Sequence, residues 1–138
     1  MANEAVTIEL HGRPEGEGVR FTCADSVGIE KGTLLYFVDP RTASGSHVAS
    51  TGNAFAGVAA AEKVASDGSV AITAYTKGIF DLTTSAGVGI TAGQIVSLSG
   101  ANLIKTATEA EIAAGGAIGK ALETATASEV IAVAVGYI

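Results

Sequence analysis

Residues of the types that carry out covalent chemistry are few in this chain of 138 residues. It has two histidines, His11 and His47, and one cysteine, Cys23. His11 falls on the polar side of a predicted strand and His47 beside a loop, so both are predicted to be solvated surface residues. Cys23 shares an apolar face with Phe21, where cysteine usually acts as a small buried hydrophobe. Because catalysis needs a nucleophile or an acid–base pair in a shaped site, we predict no enzyme activity and no catalytic residues.

Three glycine-rich segments resemble ligand-binding motifs but depart from them. In GGAIGKA, three residues rather than four separate Gly115 from Gly119, and Ala121 stands where a phosphate-binding loop needs Ser or Thr for magnesium. In GVGITAG the third glycine falls one residue too late for a dinucleotide fingerprint. GRPEGEG supplies Glu15 and Glu17, which without a longer pattern are too few for a calcium site. The sequence therefore predicts no bound cofactor and no metal.

The charge balance argues against two classes of partner. Acidic residues outnumber basic ones 14 to 8, which gives a net charge of −6, and the lysines and arginines are scattered. Proteins that bind nucleic acid or anionic membrane surfaces need clustered positive charge. No apolar run approaches the roughly 20 residues that span a bilayer, and the N-terminus shows no secretory signal. We therefore expect a protein made in a cytoplasm that binds neither nucleic acid nor membrane.

The apolar residues are mostly small. Hydrophobic residues make up 48% of the chain, yet aromatic residues make up only 5%, beside 18 glycines and no tryptophan. Small side chains bury little area each, so a core built from them is marginally stable on its own. We expect a partner surface to add burial, and we predict a homo-oligomer.

Short apolar or alternating segments predict about ten strands. These segments are VTIELH, VRFTCA, TLLYFV, HVAS, FAGVAA, SVAITAY, GIFDL, QIVSLS, NLIKT, AIGKALE and EVIAVAVGYI. In the first of them Val6, Ile8 and Leu10 alternate with polar residues, which predicts a half-buried strand. DPRTASGS, residues 39–46, is predicted to be a loop from its composition.

One segment has a helical signal. In TEAEIAAGG, Thr108 and Glu111 stand at capping-box spacing, and two glycines follow that end a helix. A short helix near residues 108–114 is therefore expected. The many short strands with turn signals between them predict an all-β fold, either a small single-domain β-barrel or a β-sandwich.

The chain repeats a pattern at a distance of 61 residues. IEKGTLLYFVDP and ITAGQIVSLSG both place an isoleucine three residues before a glycine, followed by an apolar strand. One interpretation is that any chain rich in alanine, valine and glycine shows such echoes. The other is an internal duplication with pseudo-twofold symmetry, whose half-repeats cover about residues 29–76 and 90–135. We predict an N-terminal arm or leading strand over residues 1–18 and a single β-domain over residues 19–138.

The order of these segments resembles a known family. VGIEKGTLLYFVD, AFAGVAAAEKVASDGSVAITAYTKGIFDL, ITAGQIVSLSG and AIGKALETATASEVIAVAV follow one another as in the capsid decoration, or cement, proteins of tailed phages. The resemblance covers nearly the whole chain from Val19 onward. It rests on the order of segments, because each single motif consists mainly of glycine and aliphatic residues.

The resemblance implies a structural function. Members of that family sit on the outer face of an icosahedral capsid, usually as trimers, and stabilise contacts between major capsid protein subunits. It therefore implies the major capsid protein as partner, the virion as location and a host cytoplasm as site of synthesis. The N-terminal segment is our candidate for contact with the capsid or with a neighbouring protomer, since an extended strand can add to a sheet edge. The predicted contact residues are Val6, Ile8, Leu10, His11, Arg13, Glu15 and Glu17.

Two other functions stay open at this stage. A carbohydrate-binding or adhesive β-module would use exposed aromatic rings as stacking platforms, and Tyr36, Tyr75 and Tyr137 are the candidates. A small enzyme of unfamiliar type is disfavoured by the lack of reactive residues.

Overall fold

The computed structural model describes residues 3–12, 18–38, 41–45, 54–85, 89–126 and 128–137. Within these residues the chain forms eleven strands and one helix. In chain order they are β1 (Val6–Leu10), β2 (Gly18–Thr22), β3 (Leu34–Val38), β4 (Thr42–Gly45), β5 (Phe55–Ala59), β6 (Ala71–Tyr75), β7 (Gly78–Thr84), β8 (Ile95–Gly100), β9 (Leu103–Thr106), α1 (Glu109–Ala113), β10 (Ala117–Ala121) and β11 (Val130–Val135). The predicted all-β fold is confirmed.

The strands close into two barrels of five strands each. The first barrel has the order β2-β4-β3-β5-β6, and β6 pairs back with β2. The second has the order β7-β9-β8-β10-β11, and β11 pairs back with β7. The strand β1 is an extra, sixth member of the second sheet and pairs with β7.

The two barrels use one pairing plan. In each, the first and third strands pair in parallel, β2 with β4 and β7 with β9, and the other pairs are antiparallel. An isolated bridge joins Ile29 to Lys63 in the first barrel, and another joins Ile90 to Ala125 in the second. The predicted half-repeats, residues 29–76 and 90–135, each omit the first strand of the barrel that contains them.

Each barrel encloses an apolar interior. The first interior is built from small residues together with a few larger ones, which are Phe21, Cys23, Ile29, Leu35, Ala43, Ala56, Ala59, Ile72 and Ala74. The second is richer in large aliphatic side chains, and Leu34 and Val58 of the first barrel pack into the same cluster. This shared cluster joins the barrels. The buried Cys23 has the packing role that the sequence predicts.

The helix α1 begins as the capping pattern predicts. The Thr108 hydroxyl accepts a hydrogen bond from the Glu111 N–H, and the Glu111 carboxylate accepts one from the Thr108 N–H. This reciprocal arrangement satisfies two of the backbone donors that a helix start leaves unpaired. The helix is short, and the chain turns from it into β10.

Two local predictions are wrong. Residues 42–45 form the strand β4, although their composition predicts a loop, because β3 supplies four paired positions along them. The strand β1 is not half-buried: Val6 is 59% and Ile8 is 56% exposed, while Leu10 is partly buried against the second core. The predicted strand HVAS, residues 47–50, lies outside the described residues.

Candidate functional site

The strand β1 lies along one edge of the second barrel. Val6 pairs with Asp81, Thr7 with Phe80 and Leu10 with Gly78. The register shifts between Thr7 and Glu9, so Ile8 is the extra residue of a β-bulge. A bulge breaks the alternation of side chains along a strand and twists it locally. This explains why the alternating pattern of the sequence does not bury Val6 and Ile8.

Close backbone approaches hold the N-terminal segment against both barrels. Just before β1, the Ala5 N–H donates a 2.7 Å hydrogen bond to the carbonyl oxygen of Gly32, in the turn before β3. A Cβ added at Gly32 would lie 2.5 Å from the Ala5 oxygen, and one added at Gly78 would lie 2.5 Å from the Glu9 oxygen. Glycine is therefore required at both positions for the segment to lie where it does.

The exposed side of β1 presents two large aliphatic side chains, Val6 and Ile8. Because both side chains are exposed, a partner can bury them without disturbing the core beneath the strand. The backbone edge of a terminal strand also carries hydrogen-bonding groups that another extended chain can use. The strand thus offers both an apolar surface and a pairing edge.

A small cluster of polar residues lies at the C-terminal end of β1. His11 Nδ1 shares a hydrogen bond with the Tyr137 hydroxyl, and His11 Nε2 lies 2.9 Å from the Glu9 carboxylate. The Lys77 ammonium lies 6.0 Å from the centre of the Tyr137 ring. His11 is thus a bonded residue that ties the end of β1 to the chain after β11, rather than a freely solvated one. The contribution of Tyr137 was missed because it lies 126 residues away in the sequence.

The other predicted contact residues, Arg13, Glu15 and Glu17, lie outside the described residues, as does His47. Among the tyrosines proposed as sugar platforms, Tyr36 and Tyr75 are partly buried and pack against the second core. Tyr137 is 40% exposed, and its hydroxyl is bonded to His11.

Charged groups buried elsewhere have structural partners. The Lys63 ammonium donates to the carbonyl oxygens of Asp25, Val27 and Val64 at 2.7, 3.1 and 3.3 Å. Glu111 forms a 2.6 Å ion pair with Lys105.

The described residues contain no group of three or more His, Cys, Asp or Glu side chains placed to hold a metal ion. Within the same residues, no helix has the length and apolar character needed to cross a bilayer.

These features define a small all-β protein whose candidate site is an exposed strand rather than a cavity with reactive groups. A family model described as phage cement protein matches residues 13–137. The match covers most of the 138 residues, and the chain belongs to the phage cement protein family. This membership supports a structural, capsid-stabilising role in the virion. A comparison with curated proteins found no match.

Proposed function

We propose that this protein binds the outer surface of a phage capsid and stabilises the contacts between its major capsid protein subunits. The observation that supports this most directly is the match to the cement protein family over residues 13–137. The protein then works by binding and not by catalysis, with the major capsid protein as its partner.

The strand β1 is the contact surface that we propose. Val6 and Ile8 are more than half exposed although they are large and aliphatic. Burial of such a side chain contributes about 1.5–3 kcal/mol. Because β1 pairs with the second barrel and Ala5, just before it, bonds to the first, the exposed side chains of β1 are held in a defined arrangement. Little ordering is therefore needed on binding.

We further propose that the protein binds as a homotrimer. A symmetric oligomer presents several copies of one weak contact, and the second and third contacts form at high effective concentration. Sedimentation of capsids mixed with increasing amounts of the protein measures the number of copies bound per capsid. If the protein binds as a trimer, the bound copies increase in groups of three.

The proposed function is tested with capsids of the cognate phage that lack this protein. Purified wild-type protein is expected to bind them and to raise the temperature at which they release their DNA. A Val6→Thr, Ile8→Thr double variant is expected to bind at least about tenfold more weakly, since it loses two apolar contacts. Val64→Thr is the matched control, because Val64 is 64% exposed and lies outside the proposed surface.

Two results would contradict the proposal. If wild-type protein does not bind the capsids at all, the assignment to the capsid surface is wrong. If the double variant binds as tightly as the control variant, the capsid contact is made by another surface of the protein.

A further inference from the structure

The two barrels differ at one edge. In the second barrel, β7 pairs with β9 only at Thr83 and Thr84 and with β1 along residues 78–81. In the first barrel, β2 pairs with β4 only at Thr22. No strand of the described part of the chain lies against residues 18–21 at the position that β1 occupies on β7. Among the residues that the structure describes, the first barrel therefore has an open edge where the second barrel has a sixth strand.

The backbone groups on this edge follow from the hydrogen bonds at the end of β2. The Cys23 N–H donates to the carbonyl oxygen of Val70, which lies on the β6 side of β2. The Thr22 N–H donates to the carbonyl oxygen of Arg41, which lies on the opposite side. Successive residues of a strand direct their backbone groups to alternate sides. The N–H and C=O groups of Gly18 and Arg20 therefore point away from β6, toward the open edge.

The open edge is positively charged. Arg41 Nε donates a 3.0 Å hydrogen bond to the Arg20 carbonyl oxygen, which brings the guanidinium of Arg41 to the edge of β2. Arg20 and Arg41 are both exposed. Two adjacent arginines in a chain of net charge −6 make a local site for acidic side chains, which arginine binds through its planar set of donors.

An apolar groove adjoins this edge. Its volume is about 480 Å³. Its lining includes the apolar residues Val19, Phe21, Phe37, Phe55 and Ile118, together with Arg41. Phe37 is 43% exposed and packs edge-on against the buried Phe21 ring. Arg41 belongs to both the groove and the edge, so the two features form one continuous surface.

We propose that the open edge of β2 receives an extended, acidic segment of the major capsid protein. This inference rests on the proposed function and names a second contact for it. The segment pairs with the outward backbone groups of Gly18 and with the Arg20 N–H, since the Arg20 carbonyl oxygen already accepts from Arg41. It places an apolar side chain in the groove and sets its carboxylates against Arg20 and Arg41. In this mode of recognition, backbone hydrogen bonds provide affinity, and the pockets beside the strand provide specificity.

The test compares the binding of variants to cognate capsids that lack the protein. Arg20→Pro removes the outward N–H and leaves the bonds to β6 in place, and it is expected to weaken binding at least about tenfold. Arg20→Gln keeps the N–H but loses the charge. Arg20→Gln and Arg41→Gln are each expected to bind capsids about three- to tenfold more weakly than wild-type protein. Their binding is also expected to depend less on salt concentration. Lys120→Gln, on an exposed side chain of β10, is the control.

Each outcome separates this inference from the proposed function. If wild-type protein binds no capsids, both are wrong. If Arg20→Pro and Arg41→Gln both bind capsids as tightly as wild-type protein does, the open edge is not a capsid contact. The proposed function stands in that case. If Arg20→Pro instead dissociates an oligomer of the free protein and leaves capsid binding unchanged, the edge is an interface between copies and the capsid segment is excluded. Arg41→Gln provides the decisive comparison if thermal melting shows that Arg20→Pro does not fold.

Discussion

The backbone N–H of Ala5 donates a hydrogen bond to the carbonyl oxygen of Gly32 at 2.7 Å. Ala5 directly precedes the strand that pairs with the second barrel, whereas Gly32 lies in a turn of the first. The N-terminal segment thus links the two barrels, and this position sets the direction in which β1 presents its exposed side chains.

Replacing Gly32 with alanine is expected to destabilise the protein by about 3 kcal/mol. Gly32 has a φ of +88°, and a Cβ there would lie 2.5 Å from the Ala5 oxygen. The left-handed backbone costs alanine about 1–2 kcal/mol, and displacement of the N-terminal segment adds to this. Urea unfolding followed by circular dichroism measures the change.

Gly93 provides the matched control for that substitution. It occupies the corresponding turn of the second barrel with a φ of +91°, and no atom lies within 4 Å of an added Cβ. Gly93→Ala is therefore expected to cost only the backbone term, about 1–2 kcal/mol. Equal losses at the two positions would show that the contact with Ala5 contributes nothing to stability.

Replacing Lys63 with methionine is expected to lower the free energy of unfolding by about 3 kcal/mol. The side chain is 3% exposed, and its ammonium lies 3.5 Å from the Asp67 carboxylate in addition to its three carbonyl acceptors. Methionine fills similar space but leaves those carbonyls without a donor. Thermal melting with Lys120→Met as a control measures this, because Lys120 is exposed. A loss no larger than that of the control contradicts the prediction.

Glu111 is expected to make part of the stability depend on pH. Burial raises the pKa of Glu111, but the Lys105 ammonium and the Thr108 N–H and hydroxyl outweigh it, so the pKa lies below its ordinary value of 4.5. A lowered folded-state pKa gives stability that is complete above the unfolded pKa and is lost as the pH falls through the folded one. Glu111→Gln is expected to cost about 2 kcal/mol at pH 7 and less near pH 3.

The exposed Glu109 supplies the comparison for this measurement. It lies in the same first turn of α1, so Glu109→Gln changes the charge near the helix start without breaking a buried ion pair. Urea unfolding of both variants at the two pH values is the required measurement. A difference between wild type and Glu111→Gln that does not shrink in acid would show that Glu111 is not the titrating group.

Cys23 is expected to resist alkylation in the folded protein. Burial raises the pKa of the thiol, an effect that the Lys63 ammonium partly opposes. Because the thiolate is the reactive form, iodoacetamide at pH 8 should modify Cys23 slowly in buffer and rapidly in denaturing urea. Mass spectrometry of timed samples measures both rates, and fast modification in buffer would contradict the buried position.

Local patterns in the sequence predict most of the elements because they depend on near neighbours. Alternation identifies β11, in which the alternating residues Ile131, Val133 and Val135 are all buried. The capping spacing of Thr108 and Glu111 locates α1. The polar segment that forms β4 was missed, since it is a strand only because β3 lies beside it.

The sequence by itself determined that the chain forms short strands, that it has one capped helix and that it lacks clustered reactive residues. Only the tertiary structure decided that the strands close into two barrels, that His11 meets Tyr137, and that β1 covers the edge of β7 and leaves Val6 and Ile8 exposed. The reason is physical. Side-chain periodicity reports which face of a strand is apolar, whereas strand pairing depends on contacts between distant residues. β2 and β7 both begin with a glycine followed by a large aliphatic residue, yet only the long-range pairing shows that β1 joins β7.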